Sequence, residues 1–131
     1  MGFEKDSLAG VAMLLWACEP EAAHRLATPF LFASAAAAMD MPVEVYFVAR
    51  SVRLLVPGTA ETLRAGADAS RSIGELMQEA VSHGARFYAC TEALRAQGLQ
   101  GKPLIGACAG HGGAVQFMAR AADPNWRTLV F

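Results

Sequence analysis

The sequence predicts an α/β protein: a three-layer α/β/α sandwich built on a mostly parallel, five-stranded sheet. Short apolar segments of strand length alternate with helical segments along the whole chain. The first apolar run, Gly10 to Ala17, shows no alternation of polar and apolar residues, which is typical of a parallel strand covered on both faces. A chain of 131 residues suffices for one hydrophobic core, so we expect a single domain over residues 1–131.

The N-terminal half predicts a long first helix and a second strand. Glu19-Pro20-Glu21 indicates a helix start, because proline is tolerated in the first turn and acidic residues complement the helix dipole. The helix should continue to about Met39, with Pro29 bending or dividing it. Residues 30–39 are apolar nearly all round, which predicts burial on every side, against the sheet and a partner subunit. Residues 43–48 are β-branched and aromatic and predict the second strand.

The central part of the chain predicts a loop followed by a capped helix. Residues 52–56 form a short extended or helical piece that ends at the turn signal Pro57-Gly58. Residues 59–70 are small and polar, as expected of a mobile loop. Ser72-Ile-Gly-Glu75 has the pattern of a capping box, and the apolar spacing behind it predicts a helix that Gly84 ends.

The C-terminal half predicts three more strands. Residues 86–89 are of strand length, and Leu104 to Cys108 predicts the fourth strand. A tight glycine loop at 109–113 should then open a helix that Asp123-Pro124 stops, and residues 126–131 predict the last strand.

Cys90 falls at the turn between the third strand and a short helix predicted over 91–97. Thr91 is placed to cap that helix, Glu92 follows it, and Gly98 is placed just past its end. The first amides of a helix lack internal partners and favour negative charge, so a thiol held there loses its proton more easily. The alternative is that Cys90 is one more small buried residue at a strand end.

All three cysteines follow predicted strands and could share the carboxyl edge of the sheet, where ligands of such sheets bind. Cys18 precedes Glu19, whose charge opposes a thiolate, which favours a core cysteine. Cys108 lies three residues before His111, which could assist its ionisation, but a buried structural thiol is equally compatible with the pattern.

The glycine loop around His111 gives only a weak ligand signal. Gly110, His111 and Gly112 precede a predicted helix whose free amides could hold an anion, but the loop lacks the spacing of a dinucleotide fingerprint and the lysine of a P-loop. Cys108-x-x-His111 is the one short pair of possible metal ligands, so we expect neither metal nor cofactor.

Composition narrows the class of protein. Eleven basic and twelve acidic residues leave a net charge of −1, which predicts no nucleic acid partner and no anionic membrane partner. No apolar run approaches about 20 residues, and three unpaired cysteines fit a reducing, cytoplasmic setting. Hydrophobic residues make up 54%, above the roughly 45–50% of an average domain, which indicates burial against further copies of the chain.

The order and spacing of these segments resemble the DsrE/DsrF-like (YchN-like) sulfur-relay family over nearly the whole chain. The matching features are Glu19-Pro-Glu-Ala-Ala-His through Ala38-Met39, Val43-Glu-Val-Tyr-Phe, Ser51-Val-Arg-Leu-Leu, Ile73-Gly-Glu-Leu-Met-Gln-Glu-Ala, Gly84-Ala-Arg-Phe-Tyr-Ala-Cys90, Cys90-x-x-Ala-x-x-x-x-Gly98-Leu, Gly110-x-Gly-Gly and a closing strand from Arg127 to Phe131. Gln97 stands where many members have arginine.

This resemblance implies trimers or hexamers in which Cys90 accepts sulfane sulfur as a persulfide and passes it to a partner such as a TusA-type carrier. Cys90 is then the catalytic residue, and the expected lining residues are Thr91, Glu92, Cys108, Gly110, His111, Gly112 and Cys18. Two alternatives remain open. One is a non-catalytic oligomeric module that binds a small ligand at the glycine loop, and the other is a thiol redox protein that uses Cys90 and Cys108.

Overall fold

This computed structural model describes residues 8–131, and the first seven residues of the expected domain lie outside the described part. Within it, five parallel strands form one sheet in the order β4-β3-β2-β1-β5. The strands are β1 (Gly10–Leu15), β2 (Val43–Phe47), β3 (Arg86–Ala89), β4 (Cys108–His111) and β5 (Trp126–Val130). The helices are α1 (Ala27–Ala38), α2 (Ile73–Ser82), α3 (Thr91–Ala96) and α4 (Ala114–Ala122). The predicted α/β sandwich with a parallel sheet is confirmed.

Alternation along β1 divides the core between the two faces of the sheet. Val11, Met13 and Leu15 pack with α1, α2 and α3 in the larger core. Ala12 faces the other side, where it packs with Tyr46 and with Phe117 of α4. Because α4 leads from one edge strand, β4, to the other, β5, it crosses this second face. The helix α4, which follows Gly112 and Gly113, therefore covers the face of the sheet opposite to α1, α2 and α3.

The first helical segment is divided, but not at the residue expected. A 3₁₀ helix spans Pro20–Arg25, and α1 begins at Ala27 after a break at Leu26. Pro29 lies in the first turn of α1, where its missing N–H leaves no helical hydrogen bond unmade. The prediction that Pro29 bends or divides the helix is therefore wrong.

Only one side of α1 is buried in the single chain. Phe30, Ala33 and Ala37 face the core, whereas Leu31 and Phe32 are 48% and 53% exposed. The second half of α1 is thus apolar nearly all round but packs inward on one face alone.

The fourth strand begins later than expected. Leu104 to Gly106 do not form a strand but belong to a connecting segment. The Ile105 amide donates to the Leu55 carbonyl, and the side chains of Leu104 and Ile105 pack against the larger core. Pairing with β3 begins at Cys108, with an irregular register between Phe87 and Tyr88. Gly110 and His111 consequently lie inside β4 rather than in a loop.

The central segments mostly follow the sequence. Ser72 and Glu75 form the predicted capping box at the start of α2, and Gly84 adopts a φ of 113° just past its end. Ala49–Leu55 and Ala60–Thr62 are short 3₁₀ helices, the second within the predicted loop at 59–70. Among the described helices, none combines the length and the apolar content that a bilayer span requires.

Candidate functional site

Cys90 lies between the end of β3 and the start of α3, as predicted, and its backbone is fixed on both sides. Its amide donates to the Phe47 carbonyl of the neighbouring strand at 3.0 Å, and its carbonyl accepts the Leu94 amide of α3 at 3.0 Å. Cys90 itself is the N-cap residue, with extended φ and ψ of −73° and 122°, so the expected capping role of Thr91 is wrong. The thiol accepts no hydrogen bond from the first turn of α3.

The half-buried side chain of Cys90 opens into an apolar cavity. Cys90 packs partly against the larger core, and it also borders the side of the sheet that α4 covers. The cavity has a volume of about 290 Å³, and its lining residues are Leu14, Val48, Cys90, Ala114, Phe117 and Met118. The sulfur is therefore partly accessible and borders hydrocarbon on its outer side.

Gly113 lets the chain pass close to this thiol, and Gly112 lets it pass close to the neighbouring Tyr88. A Cβ atom at Gly113 would stand 3.3 Å from the Cys90 Sγ. A Cβ at Gly112 would stand 2.9 Å from the Gln116 Oε1 and 3.1 Å from the Tyr88 Cβ. The Gly112 amide donates to the Ala89 carbonyl at 3.0 Å, which holds the start of α4 against the end of β3. Any side chain at Gly113 would therefore narrow the space above the sulfur.

His111 and Thr91 meet at the exposed rim beside Cys90. The Thr91 Oγ1 and the His111 Nδ1 are 3.5 Å apart, the outer limit of a hydrogen bond. Glu92 points elsewhere: its carboxylate pairs with Arg95 one turn along α3 at 2.5 Å, and both side chains are exposed. Of the two predicted lining residues in α3, Thr91 thus contacts His111, whereas Glu92 pairs within its own helix.

Cys108 lies at the start of β4 rather than at its carboxyl end. The prediction that all three cysteines share the carboxyl edge of the sheet is therefore wrong for Cys108. It pairs with Phe87, three residues before Cys90, which places the two cysteines about 10 Å apart along the strands at about 3.3 Å per residue. A disulfide needs Cα atoms within about 7 Å.

Cys108 lines a different cavity, with a volume of about 370 Å³, whose lining includes Lys102 and His111. Its sulfur donates weakly to the Gly110 carbonyl at 3.5 Å. The structure therefore brings His111 to the cavity of Cys108 and does not bring Cys90 and Cys108 together.

Cys18 is a core residue. It follows β1 by three positions, is 2% exposed, and packs in the larger core. Burial raises the pKa of Cys18 to about 11, an effect that the nearby Arg25 only partly offsets. Its thiol is therefore neutral at physiological pH. Within residues 8–131, no three His, Cys, Asp or Glu side chains are grouped to hold a metal ion.

An ion pair that the sequence analysis missed anchors the far end of α4. Arg120 donates two hydrogen bonds to the Glu44 carboxylate, at 2.9 and 2.8 Å, and stacks over the Trp126 ring at 4.1 Å. The Tyr46 hydroxyl donates to the same carboxylate at 2.6 Å. The available signal was Glu44 itself, an acid within an apolar strand, because a buried carboxylate requires a partner.

The pKa values of this group follow from its geometry. Burial raises the pKa of Glu44, but the hydrogen bonds from Arg120 and Tyr46 outweigh that effect and hold it below its ordinary value of 4.5. Burial and the bond to the carboxylate raise the pKa of Tyr46, and the bond to Glu44 raises that of Arg120. Glu44 and Arg120 are thus both charged near neutral pH, and their pairing fixes α4 over the sheet.

Comparison with known proteins places the chain in context. The family model described as the DsrE/DsrF-like family matches residues 12–131. The crystal structure of the ychN protein from E. coli superposes with a TM-score of 0.72 at 13% identity, over 93% of this chain and 99% of that one. MTH1491 from Methanobacterium thermoautotrophicum, titled a protein of unknown function, superposes with a TM-score of 0.61 at 19% identity, over 92% of this chain and 97% of that one. No curated protein matches the sequence.

Proposed function

The chain belongs to the DsrE/DsrF-like family, and on that premise we propose that it is a persulfide carrier or sulfurtransferase in which Cys90 accepts sulfane sulfur and passes it to a TusA-type carrier protein. The observation that carries the proposal is the placement of Cys90. Its backbone is fixed between β2 and α3, while its half-buried thiol faces an open cavity. A fixed nucleophile with space in front of it is what group transfer requires.

The proposed reaction conserves electrons. The Cys90 thiolate, formed by loss of its proton to solvent, attacks the outer sulfur of a donor persulfide, R–S–SH. A new S–S bond forms to Cys90 while the donor S–S bond breaks, and its electron pair leaves on the thiolate R–S⁻. The protein then carries Cys90–S–SH. Attack on that outer sulfur by the acceptor thiolate repeats the exchange and restores the Cys90 thiolate.

The other two thiols support the choice of Cys90. Cys18 is buried, and its raised pKa keeps it protonated. Cys108 stands at a strand start in another cavity, at a distance that does not suit an exchange with Cys90 in this conformation. The redox alternative, which needs a Cys90–Cys108 disulfide, gains no support from this geometry.

We propose further that the chain works as a homo-oligomer, a trimer or a hexamer, in the reducing cytoplasm. Large apolar side chains are exposed along α1 and near the end of β5; they are Leu31, Phe32, Met39, Leu129 and Val130. Monomeric proteins rarely expose such surfaces together, so contact with further copies would bury them. The free cysteines at positions 18, 90 and 108 fit a compartment that keeps thiols reduced.

Loading followed by intact mass measurement tests the proposal. After incubation with a panel of sulfane donors, the wild-type chain should gain about 32 Da, the mass of one sulfur atom. Cys90→Ser should lose this gain, and Cys108→Ser, the matched control, should retain it. Failure of every donor to load Cys90, or equal loading of Cys90→Ser, would refute the proposed function.

A further inference from the structure

The wall of the cavity in front of Cys90 offers almost no polar surface. Apart from the thiol, its lining side chains are all apolar and come from β1, the end of β2 and the first turns of α4: Leu14, Val48, Ala114, Phe117 and Met118. The volume of about 290 Å³ lies just below the roughly 300–1,000 Å³ that is typical of small-molecule pockets. The cavity therefore suits a small apolar group.

Among residues 8–131, no charged side chain lines this cavity to receive an anion. Lys102 and His111 line the cavity at Cys108, and Arg95 is paired with Glu92 on the exposed side of α3. The start of α4 carries no capping side chain, and its backbone adds little polar surface to the wall, which remains almost wholly apolar. A charged donor that enters such an open, apolar space loses part of its hydration and gains no counterion, which costs more than the entry of a neutral group.

From this lining we infer the class of sulfur donor that the site takes, an inference that rests on the proposed function. Cys90 accepts sulfur from organic persulfides in their protonated, neutral form, whose short alkyl group fills the cavity, and it discriminates against inorganic donors that stay anionic, such as thiosulfate. In the productive reaction the Cys90 thiolate attacks the outer sulfur of the alkyl persulfide, the S–S bond of the donor breaks, and the alkyl thiolate leaves and takes a proton from water. Met118, 60% exposed at the mouth of the cavity, determines this preference together with Phe117.

Two probes measure the preference without sulfur transfer. Iodoacetamide is neutral and iodoacetate is anionic, and both alkylate thiols. We expect the ratio of their rate constants, neutral over anionic, to be about tenfold higher at Cys90 than at Cys108 in the same chain, a difference equivalent to about 1.4 kcal/mol. The cavity at Cys108 is lined by the cation Lys102, so an anionic probe should be less disfavoured there than at Cys90.

A pair of variants on α4 isolates the role of the cavity wall. Met118→Lys places a cation at the mouth and should bring the ratio at Cys90 down toward that at Cys108. Val115→Lys places the same charge one turn earlier, at a residue that is 87% exposed and does not line the cavity, and should leave the ratio unchanged. Equal ratios at Cys90 and Cys108, or equal effects of the two variants, would overturn the inference.

A sulfur-transfer arm separates this inference from the proposed function. Propyl persulfide and thiosulfate are compared as donors, with the mass gains at Cys90 and Cys108 read separately by peptide mapping. A ratio of loading rates, propyl persulfide over thiosulfate, that is higher at Cys90 than at Cys108 supports the inference. An equal or lower ratio at Cys90 overturns it and leaves the proposed function standing. If neither these two donors nor any other loads Cys90, the proposed function falls and the donor preference falls with it.

Discussion

The backbone of Gly113 lies against the thiol of Cys90, so that a Cβ atom at residue 113 would stand 3.3 Å from the sulfur. This contact joins the start of α4 to the end of β3, two segments separated along the chain by β4 and its connection. It also fixes one boundary of the space in which a second sulfur atom would be held. The closeness of the sulfur, and not a positive φ, favours glycine here, since φ is −135°.

Gly113→Ala should slow the reactions of Cys90 with little effect on folding. The added methyl group crowds the sulfur, and misplacement of a reacting group by about 1 Å can cost about a hundredfold, so we expect a loss of about tenfold. The rate of Cys90 alkylation by iodoacetamide measures the effect. Gly110→Ala is the matched control, because a Cβ there meets no atom within 4 Å. An unchanged rate in Gly113→Ala would show that the contact does not restrict the thiol.

Glu44→Gln should destabilise the protein because it leaves Arg120 without its charged partner. Breaking a largely buried ion pair costs about 3–5 kcal/mol, and the partial exposure of Arg120 reduces the expected loss to about 2 kcal/mol at pH 7. Urea denaturation measures it. Glu92→Gln is the control, since the exposed Glu92–Arg95 pair should contribute no more than about 0.5 kcal/mol.

The same variant should flatten the dependence of stability on acid. The folded pKa of Glu44 lies below its ordinary value of 4.5, so its contribution is complete above that value and is lost as the pH falls through the folded pKa. The wild-type urea midpoint should therefore fall more steeply on acidification from about pH 6 to pH 3 than that of Glu44→Gln. Parallel curves for the two proteins would contradict the assignment.

Cys18 should be unreactive in the folded protein. With its pKa raised to about 11, roughly one thiol in a hundred is ionised at pH 9, and burial blocks access to that fraction. Peptide mapping after iodoacetamide treatment should find Cys18 unmodified until denaturant is added. Modification of Cys18 at the rate of Cys90 under native conditions would show that the core around it is open.

Leu31→Glu should weaken self-association. Leu31 is 48% exposed on the outer side of α1, so a charge there would be tolerated by a monomer but not within an apolar interface. Sedimentation velocity should show a shift toward smaller species. Ala96→Glu, on the exposed side of the short helix α3, is the control and should leave the distribution unchanged. An oligomer unaffected by Leu31→Glu would place the interface elsewhere.

Local signals in the sequence were sufficient to place Cys90. Gly84 and Gly98, both with positive φ, bound the helices on either side of β3, and the capping box at Ser72 fixes the start of α2. These signals depend on backbone geometry within a few residues, which is why they could be recognised without the fold.

The errors at Pro29 and Thr91 concern the exact start of a helix, whereas the other misses came from contacts between distant segments. Leu104 and Ile105 have the composition of a strand but form a partly buried connection against the larger core, whereas the small, partly exposed residues of β4 lack a strand pattern. The Glu44–Arg120 pair joins residues 76 positions apart. The apolar character of the cavity at Cys90 likewise depends on segments that meet only in the folded chain.

A single-turnover transfer with labelled sulfur tests the central claim most directly. The chain is loaded with heavy-isotope sulfane sulfur, freed of donor and mixed with a TusA-type carrier, and the label is located by peptide mass spectrometry at each time point. We predict that the label first resides on Cys90 and then leaves it as it appears on the acceptor cysteine, at matching rates. Label that resides on Cys108 or Cys18, or that reaches the acceptor equally fast from the Cys90→Ser variant, would contradict the account.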